Sequence, residues 1–348
     1  MKGARLIFKG KKILISGGTG SLGQKLISRI LTGELGLPSK VIVFSRDEAK
    51  QHQMRLEWKH KLSATDEIIY REPTDVLEFQ IGDIRNFHSV QMALKDVDIV
   101  INAAALKQVP TCEYFPFEAV QTNIHGANNI VTAIACNDFK VETVVAVSTD
   151  KACKPVNVMG MTKSIQERIL IGGNLKCPQT RFICSRYGNV LASRGSVIPL
   201  FIDQIKRGGP VTITDPDMTR FMMSLDKAVD TVFAAIKSAD RGETYIPKVP
   251  SAKITDVVEV LVDRRRIKIE YIGIRPGEKV HEVLISDEEC YRTIDRGGCF
   301  AIQPILPELR SSEEITPCLK KEYTSAEALM SKDEIRDLLR KNNLLIDS

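Results

Sequence analysis

The sequence predicts an α/β protein built on a doubly wound parallel sheet, and three observations carry that prediction. Short apolar, β-branched runs recur along the first half, as strands buried on both faces require. Helical stretches separate them, so that strand and helix alternate. The first apolar run ends in a cluster of glycines that opens a helix. The 348 residues also exceed what one such unit needs, and suggest two domains at about 150 residues each.

The elements follow in order. Residues 12–16 (KILIS) form the first expected strand, and residues 17–23 (GGTGSLG) turn the chain into a helix with Leu22, Leu26, Ile27, Ile30 and Leu31 on one stripe. Further strands are expected over 40–44, 77–81, 99–102, 143–148 and 181–185, separated by helices over 86–94, 116–137 and 160–170. After Asn189 the texture changes. Gly195, Pro199, Gly208-Gly209-Pro210, Pro216, Pro247, Pro250 and Pro276-Gly277 punctuate short elements. The expected division is a first domain over 1–188 and a smaller α/β domain over 189–348, interleaved with the first and partly returning to its sheet. A charged helix over 325–341 completes the elements.

Composition narrows the function classes. The net charge of +5 comes from 49 basic and 44 acidic residues, and the densest basic run, Arg264-Arg265-Arg266, is flanked by Asp263 and Glu270. With 6% aromatics and one tryptophan, Trp58, the chain lacks the clustered charge and stacking surface of a nucleic-acid binder. No signal-peptide core and no long apolar run is visible, so no membrane contact and a cytoplasmic location are expected. Eight scattered cysteines without a Cys-x-x-Cys pair read as reduced thiols, with no metal site.

Gly17, Gly20 and Gly23 form G-x-x-G-x-x-G after a strand and before a helix, with an overlapping G-x-G-x-x-G from Gly18. That pattern fits a Rossmann-type dinucleotide site: a tight turn, close approach to a pyrophosphate, and close helix–strand packing. Thr19, Ser21 and Leu22 fall within the same turn. The second strand ends in Ser45-Arg46-Asp47, where a guanidinium suits a 2′-phosphate, so NADP(H) is expected over NAD(H). Asp83 and Ile84 follow the third strand, and Ala103, Ala104 and Ala105 follow the fourth, small enough for a cofactor to lie across the strand ends.

The segments SGGTGSLG, GDIR, NAAALKQVP, STDKACKPVN, MGMTK, RYGNVLASRGSVIPLF and RPGEK resemble the extended short-chain dehydrogenases. More narrowly, they are similar to the soluble UDP-N-acetylglucosamine 4,6-dehydratases of polysaccharide biosynthesis that invert C5. The resemblance implies a UDP-sugar substrate, transient hydride transfer to bound NADP, and a UDP-2-acetamido-2,6-dideoxy-L-hexos-4-ulose product. It also implies a homo-oligomer, from dimer to hexamer. Other readings are a dehydratase for a GDP-linked amino sugar, one that forms a 5,6-alkene, or a non-catalytic NADP(H) sensor. A C4 epimerase is disfavoured by Asp150-Lys151.

The resemblance also assigns residues. Asp150 is the expected acid at O6 and Lys151 the base at C5, its pKa depressed by desolvation. Lys163 would hold the nicotinamide ribose, and Lys107 and Asn123 would lie on the cofactor side. Met159 stands where this class normally has tyrosine, which leaves Lys163 through a water, Thr149, Lys151 or Lys107 to deprotonate O4. Lys107, Tyr187, Asn189, Ser193, Arg194, Val197, Arg220, Arg275 and Glu278 would contact the sugar nucleotide.

Overall fold

The computed structural model describes residues 6–63, 76–191, 196–310 and 316–346. The expected strands form as β1 (Lys12–Ser16), β2 (Lys40–Ser45), β3 (Leu77–Ile81), β4 (Ile99–Asn102), β5 (Thr143–Thr149) and β6 (Arg181–Tyr187). Short strands follow as β7 (Asn189–Val190), β8 (Val211–Ile213), β9 (Thr219–Met223), β10 (Thr244–Pro247), β11 (Ser251–Lys253) and β12 (Ile269–Tyr271). The last are β13 (Val283–Ile285), β14 (Thr293–Asp295), β15 (Cys299–Ile302) and β16 (Tyr323–Thr324). The main sheet runs β14-β15-β10-β6-β5-β4-β1-β2-β3. From β10 to β3 every pairing is parallel, and β15 and β14 add an antiparallel edge.

Alternation along each strand feeds two cores, one per face. Ile13 and Ile15 of β1, with Val41 and Val43 of β2, pack under the helices Ser21–Leu31 and Leu225–Ser238. Leu14, Ile42 and Phe44 face the other way, toward the helices Phe87–Ala93, Gly126–Asn137 and Val158–Lys176. The helix Leu225–Ser238 thus covers the same face as the glycine-turn helix. Arg29 joins the two through Asp226 and Asp230. A third core, including Phe201, Ile213, Leu261 and Leu339, packs the helices Val197–Lys206, Ile254–Val262 and Lys332–Lys341 together.

Four elements differ from expectation, each for a local reason. The stretch expected as one helix over 116–137 is interrupted: Pro116–Ala119 leads into a π-helical turn, Val120–His125, before Gly126–Asn137. Gly126 lets the chain press on Ile84, where a Cβ would lie 2.9 Å from that side chain. The helix expected over 160–170 begins earlier, at Val158, where the Asn157 side chain accepts from Gly160 N, and continues to Lys176. The C-terminal helix starts later than expected, at Lys332, where Ser331 and Glu334 form a reciprocal capping box. Residues Tyr323–Thr324 instead pair with β13, and Ser325 is buried beside them. Glu48–Ser63 is an unexpected helix; its mostly polar sequence has no apolar stripe to announce it.

Candidate active site

The carboxyl ends of the parallel strands open onto one cavity of about 1150 Å³. Parallel strands place their following loops on one side, so this is where the sheet presents a site.

One end of the cavity is shaped by backbone. Gly17 has φ +69°, and a Cβ on it would lie 2.8 Å from Ala104 N. A Cβ on Gly23 would lie 2.5 Å from the Gly18 backbone. The helix Ser21–Leu31 begins at Gly20 with no side-chain cap, leaving its first N–H groups for an anion. Ser16 Oγ donates to Asn102 Oδ1 at 2.7 Å and accepts from Ala104 N at 3.3 Å, which locks β1 to β4 beneath this cradle. These residues fit a dinucleotide pyrophosphate. Thr19, Ser21, Leu22, Ser45, Ile84, Ala103, Ala105 and Lys107 line the same wall.

At the tip of β2, Arg46 is exposed on the cavity wall. Asp47 is occupied by its neighbour: Lys50 N donates to it at 3.0 Å, and the Lys50 ammonium pairs with its other oxygen. Asp83 also lines the cavity but is gripped by Arg85, at 2.7 Å for the shortest contact. Burial alone would raise the Asp83 pKa, yet Arg85 outweighs it and holds the carboxyl below its ordinary value. Asn123 does not reach the wall, contrary to expectation. It accepts from Leu106 N at 2.9 Å and donates to Leu106 O and Thr162 Oγ1, fixing the loop after β4 from behind.

The other end is built of side chains. β5 ends at Thr149, and Asp150-Lys151 turn at once into a short 3-10 helix. Asp150 is 1% exposed, accepts from Thr149 Oγ1 at 2.8 Å and pairs with Lys151 Nζ at 3.1 Å. Lys151 Nζ reaches a second carboxylate, Glu282 Oε1, at 3.0 Å. Arg220 Nε lies 3.8 Å from that same oxygen. Gly160 allows the helix Val158–Lys176 to approach, since a Cβ there would lie 2.2 Å from Lys151 O.

The ionisation of Lys151 reverses expectation. Burial pulls the Lys151 pKa down, but Asp150 and Glu282 more than offset it and hold it above its ordinary value. Lys151 therefore rests as an ammonium, not as the desolvated amine expected from sequence. Lys163 is also buried, and its Nζ donates to the neutral acceptors Val147 O and Gln166 Oε1. Burial pushes its pKa down to about 8. Burial likewise raises the Asp150 carboxyl above its ordinary range, with Lys151 opposing and Glu282 adding to the rise.

Met159 faces the cavity from a small cluster with Cys112 and Ala119. Tyr187, Asn189, Val197, Arg220, Arg275 and Glu278 line the distal wall. Asn189 Oδ1 has no partner among the described residues. Ser193 and Arg194 lie outside the described residues. Arg186 stands behind this wall, fully buried, forked onto Glu167 and Glu289. Glu282, Ser148 and Lys279 were missed by sequence reasoning, though all three line the cavity. The one signal for Glu282 is its place four residues after Glu278 in the segment RPGEKVHE.

Among the described residues no group of His, Cys, Asp and Glu could hold a metal ion, and no helix is long and apolar enough to cross a membrane. All eight cysteines are unpaired.

Comparison with known proteins places this geometry. The profile of the polysaccharide biosynthesis protein family matches residues 13–304. A protein named UDP-glucose 4-epimerase from Rickettsia bellii (strain OSU 85-389) is 41% identical over 345 residues, 96% of each chain. The crystal structure of Pen from Bacillus thuringiensis superposes with a TM-score of 0.85 at 38% identity, over 97% of this chain and 99% of that one. The dTDP-glucose 4,6-dehydratase DesIV from Streptomyces venezuelae, solved with NAD and TYD, gives a TM-score of 0.64 at 19% identity, over 77% of this chain and 86% of that one. At that identity the likeness is one of fold. The chain belongs to the polysaccharide biosynthesis protein family, nucleotide-sugar-modifying enzymes of the extended short-chain dehydrogenase/reductase fold.

Proposed function

We propose that the protein is an NADP-dependent nucleotide-sugar 4,6-dehydratase that inverts C5, with UDP-N-acetylglucosamine as its substrate. The observation that carries this reading is Asp150: a buried carboxyl with raised pKa, beside Lys151, with Oδ2 unpartnered among the described residues. A 4-epimerase exchanges hydride at C4 and one proton at O4. It has no use for a second acid poised at C6.

A nicotinamide dinucleotide held on the turn of residues 17–23 would supply the hydride chemistry, accepting hydride at C4 and donating it at C6. The chain's residues handle the protons. Lys163, with its pKa near 8, takes the O4 proton through a water, where Met159 leaves no phenol to do so. Asp150 gives a proton to O6, and Lys151 accepts the one from C5. Arg220 and Arg275 neutralise the diphosphate, and Glu278 accepts from ribose hydroxyls. Tyr187, Asn189, Val197 and Lys107 shape the sugar end. Arg46 supports NADP, because Asp47 is held by Lys50 and is not offered to a ribose hydroxyl.

The names of the relatives favour a second reading, a UDP-sugar C4 epimerase. Incubation with UDP-N-acetylglucosamine and with UDP-glucose in deuterated water, followed by NMR, separates the two. Water loss, a 4-ketone and deuterium at an inverted C5 are expected. A sugar altered at C4 alone would establish the epimerase instead.

A further inference from the structure

Within the proposed dehydratase reading, a buried carboxylate of the cavity still lacks a role. Glu282 is 2% exposed, lies just before β13, and lines the cavity. Its backbone is pinned: Glu282 N donates to Ser325 Oγ at 2.9 Å, and Ser325 N donates to Glu282 O at 2.8 Å. The segment that departed from the expected C-terminal helix therefore fixes this carboxylate. One oxygen, Oε1, sits 3.0 Å from Lys151 Nζ, while Oε2 has no partner among the described residues.

Lys151 is thus held between two buried carboxyl groups, each leaving one oxygen without a partner among the described residues. A Cβ on Gly188 would lie 3.4 Å from Asp150 Oδ2, so that oxygen sits against the distal wall of the cavity. The charged groups facing the lysine are Asp150, Glu282, Arg220 on β9 and Lys279 on the preceding loop. Lys279 Nζ is engaged by Cys153 O at 2.6 Å. The ring of His281 is turned away, onto Thr219 Oγ1 at 2.8 Å.

A lysine in this setting starts as an ammonium and has no lone pair for a C–H proton. Something must first take a proton from it. We propose that Glu282 is a positioning residue for Lys151: it orients the ammonium and receives one of its protons when the amine is needed. Burial would raise the Glu282 carboxyl, but Lys151 and Arg220 offset it and hold the group below its ordinary range, so it rests as a carboxylate. Lys151 Nζ gives a proton to Glu282 Oε1 only transiently, leaving a neutral amine and a carboxylic acid as the C5 proton is taken. The amine lone pair takes the C5 proton, and the C5–H electron pair forms the C5–C6 double bond. The C6–O bond breaks with its pair as Asp150 gives up its proton, so water leaves. Lys151 is then an ammonium again.

The test reads the lysine directly. Full-length protein is treated with a small amine-acylating reagent across a pH series, and labelling of Lys151 is quantified by peptide mass spectrometry against exposed lysines. In the wild type, Lys151 labels at higher pH than those lysines. Glu282→Gln should move its profile down by about one pH unit or more, a tenfold gain in free amine at fixed pH. The same substitution should nevertheless slow deuterium entry at C5 by about tenfold or more, because the carboxylate that aims the Lys151 amine at C5 is gone. Glu282→Asp, which keeps the charge, should recover much of both and serves if the Gln variant does not fold. An unchanged Lys151 profile in Glu282→Gln, or normal C5 exchange in it, overturns the proposal. Wild-type labelling as described, with no C5 exchange from any UDP-sugar, would remove the dehydratase reading while leaving the Glu282–Lys151 coupling measured on its own.

Discussion

The two ends of the cavity are made of different material. The cofactor end is a turn of seven consecutive residues, 17–23, whose shape comes from missing side chains. The acid–base end is a charge cluster joining Asp150 and Lys151 to Glu282, 131 residues beyond the lysine. A backbone cradle is damaged by added atoms and by strain. A charge cluster is damaged by a single altered proton.

The sharpest break is therefore expected at the charge cluster, with little change in shape. Asp150→Asn keeps the side-chain volume and can still accept from Lys151. It should lower turnover by about 10²–10⁴-fold and leave cofactor affinity near that of the wild type. Steady-state kinetics of water loss, paired with calorimetric titration of NADP, checks both halves. A variant retaining most of its turnover would show that the proton to O6 comes from elsewhere.

Lys163 gives the next effect, and it has a sign. A base must be neutral to accept a proton, and Lys163 changes state near pH 8. Turnover should rise about tenfold per pH unit below that point and level off above it. Lys151 titrates far higher and contributes no inflection in that window. Lys163→Arg, always charged, should abolish the inflection and lower turnover at pH 8 by about 10²-fold. A profile flat from pH 6 to 9 in the wild type would take the proton transfer at O4 away from Lys163.

At the cradle the damage should be smaller and confined to binding. Gly17→Ala forces a left-handed residue and pushes a Cβ against Ala103 and Ala104. Strain of about 1–3 kcal/mol corresponds to roughly a ten- to hundredfold weaker cofactor affinity. The labelling profile of Lys151 should stay where it is. A shift there would mean that the two ends communicate, and the contrast between them would fail.

The contrast also explains what could be read from the chain. The glycine turn was legible because all its determinants are adjacent and each glycine has one steric reason. Most of the seven parallel strands were legible because burial on both faces leaves a largely apolar run, as in Val41 to Phe44. Asp150, Lys151 and Lys163 were legible through the motifs they sit in, but their charge states were not. Those depend on Glu282 beside Lys151, and on Val147 O and Gln166 beside Lys163. Asn123 was read as a cofactor contact because a motif reports proximity, whereas only the fold shows that its amide faces Leu106 and Thr162. The helix Glu48–Ser63 escaped notice because its sequence is mostly polar and, among its described side chains, only Gln51 and Met54 are buried, so no stripe results.

The smallest effect is expected at the rim of the cradle, where side-chain charge returns to a backbone-built site. Arg46 is exposed, and the neighbouring acid that would repel a 2′-phosphate is neutralised by Lys50. Losing one charge-assisted contact there costs about 1.5 kcal/mol, roughly a tenfold change in affinity. Arg46→Ala should therefore weaken NADP by about tenfold while leaving NAD unchanged. Lys50→Ala should act from the other side, since freeing Asp47 gives a ribose hydroxyl an acceptor and a phosphate a repulsive neighbour. Parallel titrations of both dinucleotides against both variants decide the matter. Equal loss of NAD and NADP in Arg46→Ala would make that arginine a general contributor to the rim and remove the basis for choosing the phosphorylated cofactor.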